Sequence, residues 1–131
     1  MAQTISVETS ARDDWADITR EVAAAVGQSG RSEGVVTVYV PHTTAAVTIQ
    51  ENADPPLKGD ITRMLDGLFP WVDGYGHGED NAAAHMKAVL AGTSEQIPFE
   101  KGRMLLGTWQ SIYFLEFDGP RRRKVLVHVS A

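Results

Sequence analysis

Residues 3–9, QTISVET, set Ile5 and Val7 two positions apart, the alternation of a half-buried strand. From Asp14 to Gly27 the interval changes. Trp15, Ile18, Val22 and Val26 recur at helical spacing, with Asp13 or Asp14 placed to cap the first turn. GVVTVYV (34–40) and TAAVTIQ (44–50) are β-rich runs separated by a PHT break. In DPPLKGDITRMLDGLFP (54–70) the prolines suit a first helical turn, where Asp54 is placed as a cap. Leu57, Ile61, Met64, Leu65 and Leu68 form one apolar stripe there. A glycine-containing loop over 70–79 leads to a short helix from about Asn81 to Leu90, stopped by Gly92. The rest reads as β: SEQIPFE, RMLLGTWQSIYFLEF and KVLVHVS, broken near Gly102, Gly107 and the DGP at 118–120.

Strands and helices interleave without a regular βαβ rhythm, and the last third is all β. That pattern predicts an α+β domain with an antiparallel β-sandwich-like core and two to three helices. Strand 110–118 has two apolar faces, Ile112 and Phe114 on one, Tyr113, Leu115 and Phe117 on the other. Such a strand is either central or covered by a subunit partner.

At 131 residues the chain is one ordinary domain, able to bury about two-thirds of its unfolded surface. There is no cysteine, which excludes disulfides, thiolate zinc sites and a cysteine nucleophile. The N-terminal residues lack a secretory signal, and no apolar run approaches a membrane span, so a cytoplasmic protein is expected. A net charge of −5 argues against general nucleic-acid binding. RRRK (121–124) is the local exception, read as a solvated strand or as an anion-facing Arg121 or Arg123. GxGxxG, Walker, GxSxG and HExxH patterns are all missing.

Side-chain alternation locates candidate chemistry. His42 continues the parity of Val36, Val38 and Val40; Glu51 that of Val47 and Ile49; Glu116 and Asp118 that of Ile112 and Phe114. Ionisable groups at the ends of apolar faces are what a ligand site looks like, though strand ends also simply emerge into water. Asn81 and His85 share a helix face, and His77 lies in the loop before it. With His42 as third member these imidazoles suit a catalytic zinc with an open position; the alternative is a purely hydrogen-bonded cluster. His128, on the strand face opposite Val125, Val127 and Val129, reads as structural.

The blocks PHTTAAVTIQENADP (41–55), HGEDNAAAH (77–85), SEQIPFEKGRMLLGTWQSI (94–112) and EFDGPRRR (116–123) closely resemble the YjbQ-like family, also labelled the secondary thiamine-phosphate synthase family. The resemblance implies a homotrimer of compact α+β domains with a polar pocket near subunit contacts. It places His42, His77 and His85 in that pocket, where a divalent metal is expected, zinc foremost and magnesium or manganese as alternatives. It carries over Glu51, Asp54, Asn81, Gln110, Glu116, Asp118 and Arg121 as accompanying polar positions. Glu51, Asp54, Glu116, Asp118 and Arg121 are expected in catalysis, and Asn81, Gln110 and Arg121, together with Arg123 of the RRRK run, at a small anionic or phosphorylated substrate. Gln50 departs from the asparagine that the family commonly shows there. The implied activity is a weak thiamine-phosphate synthase-like transfer, with a non-catalytic trimeric metabolite- or metal-binding protein as the alternative. The usual enzyme for that step is a TIM barrel of about 250 residues, so a shared activity would be convergent.

Overall fold

The computed structural model describes residues 2–72, 74, 76 and 80–131. In chain order the elements are β1 (Gln3–Glu8), β2 (Asp14–Asp17), α1 (Thr19–Gln28), β3 (Glu33–Tyr39), β4 (Ala45–Glu51), α2 (Pro55–Leu68), α3 (Ala82–Ala91), β5 (Ser94–Glu100), β6 (Arg103–Met104), β7 (Gln110–Glu116) and β8 (Arg122–Ser130). The strands form two antiparallel sheets, β1-β8-β3-β5-β6 and β2-β7-β4. The fold is therefore α+β, built on the sandwich-like core that the alternation predicts.

Between the sheets, Val36, Val38, Phe99, Val125 and Val127 of the larger one meet Val47, Ile112 and Phe114 of the smaller. Helix α1 closes this core with Val22, Ala25 and Val26. The opposite face of β7 is also buried. Tyr113, Leu115 and Phe117 pack with Ala84 and Ala88 of α3, and with Leu65 and Trp71 beside them. β7 is thus central in its sheet and covered by helices of its own chain. The second apolar face needs no subunit partner.

The first helix departs from expectation. Residues 14–17 form β2, paired with β7 through Trp15↔Leu115 and Asp17↔Tyr113, and α1 starts only at Thr19. A long apolar strand leaves backbone groups on both edges, and β2 satisfies one edge while Trp15 packs edge-on against Tyr113. The start of α1 is organised by Asp17, which accepts the Thr19 N–H at 2.9 Å, rather than by Asp13 or Asp14. Asp54 stands at the N-cap position of α2, but its side chain makes no capping hydrogen bond. α3 ends at Gly92, whose φ of +89° suits a residue without Cβ. The run expected over 103–117 divides into β6 and β7, with residues 105–109 as a loop.

Candidate functional site

Glu116 ends β7 on the core-facing parity and has no exposed surface. A carboxylate there must be compensated, and Arg123 does so. The register Val7↔Arg123 turns Arg123 inward with Val125 and Val127, where it is 3% exposed. Its Nε donates to Glu116 Oε1 and Oε2 at 2.9 and 3.1 Å, and its Nη2 donates to Oε2. Thr9 Oγ1 and the Asp118 N–H donate to the same carboxylate at 2.8 and 3.1 Å. Arg123 Nη2 also reaches Thr44 Oγ1 at 2.8 Å. Burial alone pushes the Glu116 carboxyl up; Arg123, Thr9 and the Asp118 amide together hold it below its ordinary value. The turn that follows depends on Gly119, where a Cβ would stand 2.4 Å from the Ala11 carbonyl and 2.8 Å from Thr9 Oγ1.

Further polar side chains lie outside this pair. Asp118 Oδ2 accepts from Asn81 Nδ2 at 2.8 Å and from Arg121 Nη2 at 3.1 Å, while Arg121 Nε donates to the Asp118 carbonyl at 2.9 Å. Asn81 precedes α3, and the helix carries His85 to the same place. β3 ends at Tyr39 opposite Leu126, and two residues further along β8 the His42 Nε2 accepts the Lys124 N–H at 2.9 Å. The neutral ring then carries its proton on Nδ1. Burial and the neighbouring Arg123 lower the His42 pKa, keeping that neutral form.

His42, Asn81, His85, Asp118, Arg121 and Arg123, with Thr43 and Thr44, line one cleft of about 340 Å³. Its charges offset one another, Arg123 against Glu116 and Arg121 against Asp118.

Glu51, Asp54 and Gln110 are elsewhere. The register runs from Ala45↔Glu116 to Glu51↔Gln110, so Glu51 and Gln110 sit at the far end of the strand pair, about 20 Å away. Gln110 Oε1 there accepts the Gly107 N–H at 2.8 Å, a loop-forming role. His77 lies outside the described residues. His128 is exposed on β8, opposite Thr37. Sequence reasoning missed Thr9 and Thr44. Thr44 had a signal, standing two residues after His42; Thr9 had none, being 107 positions from the carboxylate that it binds.

The expected metal can be tested against these residues. Among the described residues no three His, Asp or Glu side chains cluster to hold an ion. A metal-bound imidazole presents a lone pair. His42 gives its lone pair to Lys124 and presents an N–H, so as held it does not fit a ligand role.

The profile of the family described as "UPF0047 protein YjbQ-like" matches residues 3–131. The chain belongs to this family. It is 49% identical over 124 residues to the UPF0047 protein YugU of Bacillus subtilis, covering 94% of each chain. A UPF0047 protein of Methanocaldococcus jannaschii is 46% identical over 123 residues, covering 94% of this chain and 89% of the relative. The crystal structure of an uncharacterised YjbQ/UPF0047 protein from Clostridium acetobutylicum superposes with a TM-score of 0.96 at 52% identity, covering 98% of this chain and 99% of the other. A YbjQ-like protein of unknown function from Sulfolobus solfataricus gives 0.94 at 32% identity, covering 98% and 95%. These relatives place the chain in an uncharacterised family and leave its chemistry to the cleft itself.

Proposed function

We propose that the cleft binds a small anionic, phosphorylated metabolite and that the protein acts on it as an enzyme. One observation carries this reading. Arg123 is committed to Glu116 inside the wall, whereas Arg121 stands at the rim with a side chain 49% exposed. Asp118 takes only two of the five donors a guanidinium offers, so Arg121 keeps N–H groups for an oxyanion. The His42 Nδ1–H supplies a second, uncharged donor. The test is calorimetric titration with inorganic phosphate and ethyl phosphate. Saturable binding that weakens about tenfold in Arg121→Ala supports the reading, on the scale of one charge-assisted hydrogen bond; no binding by either overturns it.

A transfer that releases an anion, such as the thiamine-phosphate synthase-like step, places the developing charge beside Arg121. Loss of that donor in Arg121→Ala then removes a few kcal/mol of transition-state stabilisation, about 3 by analogy with other charge-stabilising donors. The assay uses protein purified from a host lacking its own synthase. No product from the parent protein would leave the alternative, a metabolite-binding protein without turnover.

A second reading keeps a divalent metal, zinc foremost, in the same cleft. The presence of both His42 and His85 in its lining supports it. Metal held through His42 requires the imidazole to release the Lys124 amide. Titration of zinc or manganese into metal-free protein, compared with His85→Ala, tests this; equal uptake by both proteins rejects it. We further propose a cytoplasmic homotrimer. Among the described residues no helix is long and apolar enough to cross a membrane.

A further inference from the structure

The amide of Asn81 has only one possible orientation. Asp118 is an acceptor, so the nitrogen of Asn81 must face it, and it does so at 2.8 Å. Oδ1 is thereby turned the other way. That oxygen is buried and accepts a hydrogen bond from none of the described residues. Folded proteins rarely leave such an acceptor without a donor, and the side chain that carries it lines the cleft.

The neighbouring charges define the donor further. Glu116 is neutralised by Arg123 and fully hydrogen-bonded, so it offers a ligand nothing. Asp118 is different. Its Oδ2 is shared between Asn81 and Arg121, and its side chain remains 20% exposed at the cleft. A carboxylate beside an unfilled carbonyl favours a positively charged N–H group over a neutral hydroxyl. Arg121 and the His42 Nδ1–H supply the opposite preference.

We propose that the metabolite carries an amino group as well as its anion, and that Asn81 Oδ1 accepts a hydrogen bond from that amine beside Asp118. This rests on the anionic reading of the cleft given above. It narrows the substrate class to phosphorylated or otherwise anionic amines and sets Asn81 as a residue that determines specificity.

The experiment compares two probes that share a phosphate monoester and differ in the amine, O-phosphoethanolamine and ethyl phosphate, by calorimetry on the whole chain. The expected result is at least about tenfold tighter binding of O-phosphoethanolamine, because a polar group built to pair rejects an analogue that leaves it unpaired. Asn81→Ala should bring the two affinities to within about twofold, the readout being their ratio rather than either affinity alone. Asn81→Ser, too short to set its hydroxyl where Oδ1 stands, is a second truncation that serves where the alanine variant does not fold, and it should likewise bring the two affinities together. Equal affinity of the two probes for the parent protein overturns this inference and leaves the anionic reading standing. Failure of both probes to bind overturns both. A preference that survives unchanged in folded Asn81→Ala removes Asn81 from the role.

Discussion

Glu116 and Arg123 stand or fall together. Both are buried and each satisfies the other, so removing one leaves a charge without a partner. Arg123→Met or Glu116→Leu should each destabilise the protein by about 3–5 kcal/mol in urea denaturation, whereas the double replacement should cost less than the sum. The pH dependence has a definite direction. The Glu116 carboxyl sits below its ordinary 4.5, so the unfolded chain binds its proton first. Its stabilisation is complete above that pH and fades as the medium becomes more acid. His42 is likewise depressed from 6.5, chiefly by burial and then by Arg123. Its neutral state favours folding at neutral pH, and that share declines as pH falls below 6.5. Nitrogen chemical shifts in an NMR titration should show the Nδ1–H tautomer and a midpoint below 6.5; an Nε2–H tautomer would reject the assignment. Alternation along β7 and past β3 made Glu116 and His42 legible in the sequence. Thr9 was not, because nothing local marks a hydroxyl whose partner lies on another strand.

The elements that positional reasoning misjudged are those where a distant strand dictated the outcome. Trp15, Ile18, Val22 and Val26 have helical spacing, yet the backbone at 14–17 pairs with β7 and the helix begins afterwards. Periodicity could not reveal that β7 has an open edge there. By contrast, α2 and α3 were legible through their prolines, stripe and terminal glycine. α3 also carries a residue whose setting the sequence hid. Lys87 has no exposed surface and bridges Asp13 at 2.8 Å and Asp66 at 2.6 Å, tying α3 to α2 and to the segment before β2. Arg12 lies over Trp71 at 4.5 Å and joins the same two aspartates. Lys87→Ala removes a fully buried ammonium that joins two partly exposed carboxylates, which keep Arg12, and should lower stability by about 1–3 kcal/mol. Denaturation midpoints check this, and a loss below about 1 kcal/mol would show that Asp13 and Asp66 are adequately served by Arg12 and water.

At the scale of the molecule, the outer layer over the smaller sheet remains partly apolar. Met64 and Leu68 on α2, and Val89 and Leu90 on α3, are all more than half exposed. Between the two helices, Ile61, Leu65, Leu90 and Ala91 border an apolar groove of about 140 Å³. Contiguous exposed apolar surface is typical of an assembly face. Light scattering should give three times the 14.3 kDa of one chain, and Val89→Asp with Leu90→Asp should shift the mass towards the monomer. A monomeric parent protein at micromolar concentration would reject the trimer. The position of β8, between β1 and β3, has a consequence for how the protein is made. Arg123, Asp118 and Arg121 leave a ribosome well after Thr9 and His42. Glu116 cannot be neutralised until Arg123 arrives, and β1 cannot find its partner until β8 has emerged. β1 therefore waits without its partner while all the elements up to β7 are made, whereas Glu116 emerges only seven residues before the arginine that neutralises it. Contacts spanning nearly the whole chain close slowly. A stalled or shortened nascent chain that lacks β8 should be a substrate for chaperones rather than a partly working protein.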